Sequence, residues 1–362
     1  MASLQFGAAR TTRASDSEAG SYYTTGKGSG RLPSTRAVVR ATRRHTACDR
    51  CRPGNQQCRG PDRIARRSGY WRMLMTKKRM MLAPVTFIMT ALFVLSVAPL
   101  AGAQLTSARQ GPIVYGHHHL TVTSIDESTK FWVDALGGEA VTAGSLEFIK
   151  FPNVLVFMRE ATPTGGSKGT TVNHLGFSVP STRAMVERVR AAGYPIVTRA
   201  ELPPALPVDD GLAHIADQDT YIGFAMAPDD VKVEFIEDRS QTESIALHHV
   251  HFAGPVNEMK AWYVETFGAA PGMRGSFQAA DLPGVNLTYS ASPEAPVATQ
   301  GRSIDHIGFE VDNLKAFCQK LEAEGVTFDR PYGEVAALGL GYAFFTDPFG
   351  TYIELTEGLD EY

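Results

Sequence analysis

Four histidines open four similar stretches: His117-His118-His119-Leu120-Thr121-Val122, His174-Leu175-Gly176-Phe177-Ser178-Val179, His249-Val250-His251-Phe252 and His306-Ile307-Gly308-Phe309-Glu310-Val311. Imidazoles ligate borderline divalent cations, and they are the side chains that exchange protons near neutral pH. One histidine on a strand is more often a core or surface residue than a ligand. Four in register carry more weight. His117 to His174 is 57 residues, His249 to His306 is 57, and the two pairs are offset by 132, so a double unit occurs twice.

These histidines need strands to hold them. Each stretch alternates with period two, placing the apolar residues three and five positions on along one face and the histidine on the other. A helical segment follows each: 124–136, 181–192, 256–267 and 313–324, each closed by glycine. In the last, Leu314, Phe317, Cys318 and Leu321 fall at i, i+3, i+4 and i+7, an apolar stripe of helical period. Each helix is therefore expected on the apolar face of its strand, leaving the histidine face free. Further strand-like segments follow at 147–158, 221–226 with 231–237, 277–290, and 342–345 with 351–356. The unit is strand, helix, then about three strands. Two units side by side would give a curved eight-stranded sheet with helices outside and histidines in the cup.

Over roughly residues 113–358 the sequence resembles the vicinal oxygen chelate superfamily, which includes glyoxalase I, fosfomycin-resistance proteins and type I extradiol dioxygenases. The resemblance rests on the His-x-x-apolar openings, the glycine-stopped helices, and the endings Val231 to Glu237 and Asp347-Pro348-Phe349-Gly350-Thr351-Tyr352-Ile353-Glu354-Leu355. It implies an α+β fold of four βαβββ units in two tandem domains, 113–240 and 244–358, with cupped mixed sheets.

The same alternation turns Glu234 and Glu354 into the cup, giving two candidate metal sets, His117/His174/Glu234 and His249/His306/Glu354. The second set is favoured, because its domain keeps the fuller ending. Two imidazoles and a carboxylate suit a divalent ion such as Zn, Ni, Fe or Mn, with positions left open for a substrate's vicinal oxygens. The superfamily often adds a fourth ligand, whose places fall near Val156 and Asn286. His119 and His251 lie on the cup face as replacement ligands or acid/base groups. With Glu234 and Glu354 they are the catalytic candidates. His118 and His248 point the other way and read as structural. His214 reads as a solvated residue of an acidic loop, and Arg159 and Tyr289 end strands that could reach the cavity.

Other chemistries find little support. No Gly-x-Ser-x-Gly elbow or Walker A loop is present. The extradiol dioxygenase pattern wants a Tyr and a His near the last strands, where this chain has Phe344 and no His from Leu314 onward. That departure leaves a glyoxalase-like lyase, isomerase or transferase acting on a small oxygenated molecule, or else a non-catalytic protein that binds a small ligand in the same cavity.

Charge is unevenly spread along the 362 residues: 1–72 hold 15 Lys/Arg against 4 Asp/Glu, whereas 104–362 hold 17 against 34. The acidic body argues against nucleic acid and anionic membranes as partners. Residues 1–72 show no sustained period and are expected to be disordered, a product of a misplaced gene start. Cys48, Cys51 and Cys58 lack the second pair a zinc finger needs. Residues 73–103 read as a secretory signal, with Lys77-Lys78-Arg79, an apolar run from Met80 to Leu100, and Ala101-Gly102-Ala103 as the cleavage site. The expectation is a periplasmic or secreted protein without stable membrane attachment, with a homodimer open. Cys318 is the one cysteine after the signal, which excludes a disulfide framework.

Overall fold

The computed structural model describes residues 105–362. The proposed signal segment and Cys48, Cys51 and Cys58 lie outside them. No helix among the described residues is long and apolar enough to cross a membrane.

Four units follow one another. The first is β1 (Val114–Val122), α1 (Ile125–Thr129), β2 (Glu139–Ala143), β3 (Leu146–Phe151) and β4 (Val154–Glu160). The second is β5 (Val172–Val179), α2 (Thr182–Ala191), the short α3 (Thr198–Glu201), β6 (Ala213–Ile215), β7 (Thr220–Ala227) and β8 (Val231–Glu237). The third is β9 (Ala246–Ala253), α4 (Val256–Phe267), β10 (Ala270–Arg274), β11 (Phe277–Leu282) and β12 (Val285–Ser290). The fourth is β13 (Ile304–Glu310), α5 (Leu314–Ala323), β14 (Phe328–Val335), β15 (Leu340–Thr346) and β16 (Tyr352–Glu357). The βαβββ reading holds. The helix expected over 124–136 is α-helical only to Thr129 and continues as a π-helix over Lys130–Ala135.

Local chemistry sets the helix bounds. The Asn313 carboxamide accepts from the Ala316 N–H at 3.0 Å and starts α5. Gly325, at φ +94, supplies the left-handed residue that ends it. The stripe between them, Leu314, Phe317, Cys318 and Leu321, is buried.

Helix-side packing follows the order of the chain. Trp132 reaches Phe177 at 6.1 Å between ring centroids, joining the first unit to the second, and Phe267 reaches Phe309 at 5.0 Å, joining the third to the fourth. Each of the two tandem domains thus closes its own back. Burial of each such ring removes its apolar surface from water, a contribution of about 1.5–3 kcal/mol.

The sheets do not follow the order of the chain. One runs β14-β15-β16-β13-β1-β4-β3-β2 and the other β10-β11-β12-β9-β5-β8-β7-β6. The first cup therefore joins the first unit to the fourth, through antiparallel β1 and β13, and the second cup joins the second unit to the third, through β5 and β9. The expectation that each domain holds its own cup is corrected. The 57-residue spacing reports that units repeat, and is silent about which edges pair.

Candidate metal centres in the two cups

The cross-pairing regroups the six predicted ligands. His117, His306 and Glu354 meet in the first cup, and His174, His249 and Glu234 in the second, where His251 joins them; the ligand atoms within each group lie within 4.8 Å of one another. The trios His117/His174/Glu234 and His249/His306/Glu354 do not form.

In the first cup a single carboxylate oxygen, Glu354 Oε2, stands 2.9 Å from His117 Nε2 and 3.0 Å from His306 Nε2. Asp347 sets this position: its Oδ1 accepts from the Phe349 N–H at 2.9 Å and the Thr351 N–H at 2.7 Å, forming the turn that launches β16. On the far side of His306, Nδ1 meets Asp305 Oδ1 at 2.7 Å. The His117 ring lies over Gly308, whose missing Cβ leaves the space it occupies. His117 Nδ1 is buried without a partner.

Burial disfavours the Glu354 carboxylate, but the adjoining His117 and His306 outweigh it and hold its pKa well below the usual range. Burial likewise opposes charge on His306, and its bonds to Asp305 and Glu354 outweigh that, raising its pKa. His119, with its ring 4.5 Å from that of His306, is depressed to about 3 by burial and by His306 and His117. It is a neutral base near pH 7 and makes no side-chain hydrogen bond among the described residues.

A cavity of about 550 Å³ opens onto this group. Phe157, Phe344, Leu146 and Leu338 form apolar walls, and Tyr342, Tyr352, Arg159 and Arg330 supply polar ends.

The second cup repeats the ligand geometry in closer surroundings. His174 Nε2 stands 2.8 Å from Glu234 Oε2 and 3.3 Å from His249 Nε2. His251 stacks on His174 at 4.4 Å and bonds Ser290 Oγ through Nε2 at 2.9 Å. All four are buried. Where His306 has Asp305, His174 has the neutral Asn173, at 2.9 Å, and burial carries the His174 pKa down to about 4. Where the first cup has Tyr352, the second has Lys232, buried and paired with Glu201 at 2.8 Å.

Asn286 pairs in register with His249, in the second cup and away from His306. Its counterpart in the first cup is Leu155, opposite His117; Val156 lies opposite His118, on the other face, so that expectation was one residue off. The first group therefore has three protein donors. Tyr289 is buried against Phe252 and Tyr263 in the helix-side core and does not reach the cavity. His118 is buried against Tyr115 Oη at 2.6 Å, away from the cup, as its face predicted. His248 contacts His249, Nδ1 to Nδ1 at 2.9 Å, so it supports a ligand. Tyr352 and Arg330 were missed as cavity residues. Tyr352 was legible from its alternation with Glu354, whereas Arg330 depends on an edge strand that no motif marks.

Two imidazole nitrogens and a carboxylate, a glycine cradle beneath one ring, and a carboxylate or amide fixing another are the donor set and support a divalent ion needs. In both cups the residues fit one.

A profile of the Glyoxalase/Bleomycin resistance protein/Dioxygenase superfamily matches residues 114–235 and 213–355. No curated protein matches the sequence. Among solved structures, glyoxalase I from Zea mays aligns with TM-score 0.53 at 16% identity, covering 70% of this chain and 95% of that one. A glutamate-to-glutamine mutant of the same maize enzyme aligns at 0.54 with 14% identity, over 70% and 97%. A putative dioxygenase from Bacillus subtilis aligns at 0.50 with 12% identity, over 68% and 86%. At these identities the likeness is one of fold.

Proposed function

The chain belongs to the Glyoxalase/Bleomycin resistance protein/Dioxygenase superfamily, and on that footing we propose that it is a divalent-metal-dependent enzyme of the glyoxalase type, acting on a small oxygenated molecule in the first cup. The observation that carries this is the convergence of His117 Nε2, His306 Nε2 and Glu354 Oε2 on the wall of the 550 Å³ cavity. When bound there, a metal supplies Lewis-acid polarisation of substrate oxygens.

The chain's own residues supply the rest. Asp305 orients His306 through Nδ1, and Gly308 fixes the plane of His117. Phe157 and Phe344 exclude water from the substrate's apolar part. His119 lines the cavity beside His306, and burial keeps it neutral, so its ring presents one N–H donor and one acceptor nitrogen to a bound substrate.

Elemental analysis of protein purified without chelator tests the reading. Stoichiometric zinc, nickel or manganese that is lost from the first cup in His306→Ala is expected. Absence of divalent metal even after reconstitution would shift the reading to a small-ligand-binding protein. Leu155 favours one second reading: by withholding a fourth donor it leaves the two-His, one-carboxylate set that also suits ferrous oxygenases. Iron as the resident metal would select it.

We further propose export with cleavage after Ala103, from the order of basic residues, apolar run and Ala-Gly-Ala. Mass spectrometry of the mature N-terminus decides it; residues 1–72 on that protein would end the proposal.

A further inference from the structure

Four charged residues line the first cavity: Arg159, Arg330, Asp305 and Glu354. Two of them are satisfied locally. Glu354 is taken up by the histidines, and Asp305 by His306 and the Gly301 N–H, with the Arg159 guanidinium 3.6 Å away. Arg159 also donates to Thr121 Oγ1 at 3.0 Å. Arg330 is different. It makes no ion pair or side-chain hydrogen bond among the described residues, and its guanidinium lies over the Phe344 ring, Cζ 5.3 Å from the centroid. That same ring stands 5.5 Å from the ring of His306. One aromatic ring thus separates a free cation from the metal-binding imidazole.

This placement goes against the charge of the rest of the protein. The body has 17 Lys/Arg against 34 Asp/Glu. Arg188, Arg199, Lys260 and Arg302 also lack a carboxylate partner but donate to backbone carbonyls, whereas Arg330, among the described residues, is left with only the Phe344 ring. With a divalent ion bound, the ion and two guanidiniums outweigh the two carboxylates, and the cavity becomes a positive pocket in a negative surface. The second cup does not share the feature. Ser290 stands where Arg159 does, and its buried lysine, Lys232, is already paired with Glu201.

Resting on the function proposed above, we propose that the first-cup substrate is an anion: an oxygen pair at the His117/His306/Glu354 end, a flat apolar middle against Phe344 and Phe157, and a carboxylate or like oxyanion at Arg330, with Arg159 as the second guanidinium. A planar guanidinium fork stacked on an aromatic ring is pre-organised to hold two oxygens of one oxyanion. Arg330 is a specificity residue in this scheme and takes no part in ligating the metal.

Two probes differing by one carboxylate test it. Catechol and 3,4-dihydroxybenzoate are titrated calorimetrically into the zinc-loaded protein, its Arg330→Met variant and its Arg330→Lys variant. The expected result is at least about tenfold tighter binding of 3,4-dihydroxybenzoate to the parent protein, loss of that advantage in Arg330→Met with catechol affinity unchanged, and partial recovery in Arg330→Lys. Zinc-dependent binding of both probes with equal affinity, or an Arg330→Met variant that weakens both alike, would overturn the anion inference and leave the metal-site reading standing. If neither probe binds in a zinc-dependent way, this inference falls, while the zinc content of the protein still decides the metal-site reading.

Discussion

His117 lies across Gly308, so close that a Cβ at residue 308 would stand 1.9 Å from its Cε1. The same relation joins His249 to Gly176 in the other cup. Each glycine sits two residues after a ligand histidine and cradles the histidine of the strand beside it. We expect Gly308→Ala to tilt the His117 imidazole and weaken metal binding in the first cup by about 10- to 100-fold, the scale of lost ligand support, with the second cup unaffected. Zinc titration of Gly308→Ala and Gly176→Ala, read as two separable stoichiometries, checks this.

Asp305→Asn would give His306 the partner that His174 already has. A carboxylate behind an imidazole makes it a more basic donor than a carboxamide does, so the first cup should lose about 10-fold or more in zinc affinity. Asn173→Asp should strengthen the second cup. Competition against a zinc indicator measures both, and equal affinity in parent and variant would refute the tuning role.

Acid should unfold the metal-free protein early. His118 and His119 are held at about 3, and His174 and His248 at about 4, mainly by burial. Their folded pKa values lie below the unfolded value of about 6.5. The unfolded chain therefore takes up protons first, and the stability of the neutral buried form is present above 6.5 and lost as pH falls toward 4. Each group contributes up to about 1.4 kcal/mol per pH unit in that window. Glu354, also depressed, adds loss below about 4.5. His306, raised, works the other way: its contribution is full below 6.5 and fades as pH climbs through its folded pKa. Urea melts between pH 7 and 4.5 should show a falling midpoint, and a flat profile would contradict it.

Residues 104–243 produced alone should bind metal at neither group, because each group takes a histidine from both halves of the chain. Mixing with residues 244–362 should restore both. Metal stoichiometry before and after mixing is the measurement.

How much of this was legible follows from what alternation can carry. Period two fixed the face of His117 against His118 and of Glu354 against Ile353, and it brought all six ligands to cup faces. It says nothing about which strand edges meet, so the trios were drawn within domains when β1 pairs with β13. Parallel register escaped as well, which is why Val156 stood in for Leu155. His248 shows a third limit: its face was right, yet it bends to meet His249 Nδ1 at 2.9 Å. His248→Ala, harmless if face alone mattered, should weaken the second group several-fold.

The crossed cups also bear on how the two sites came to differ. Two copies of one half-chain, associating as a symmetric pair, would build two cups of the same composition, since every substitution would appear in both. Joining the halves into a single chain removes that constraint. Tyr352 and Lys232, Asp305 and Asn173, Leu155 and Asn286, and Arg159 and Ser290 are matched positions that hold unlike residues. One cup is free to face a cavity with two arginines while its twin ties its lysine to Glu201, and the seam that holds the halves together is kept by both.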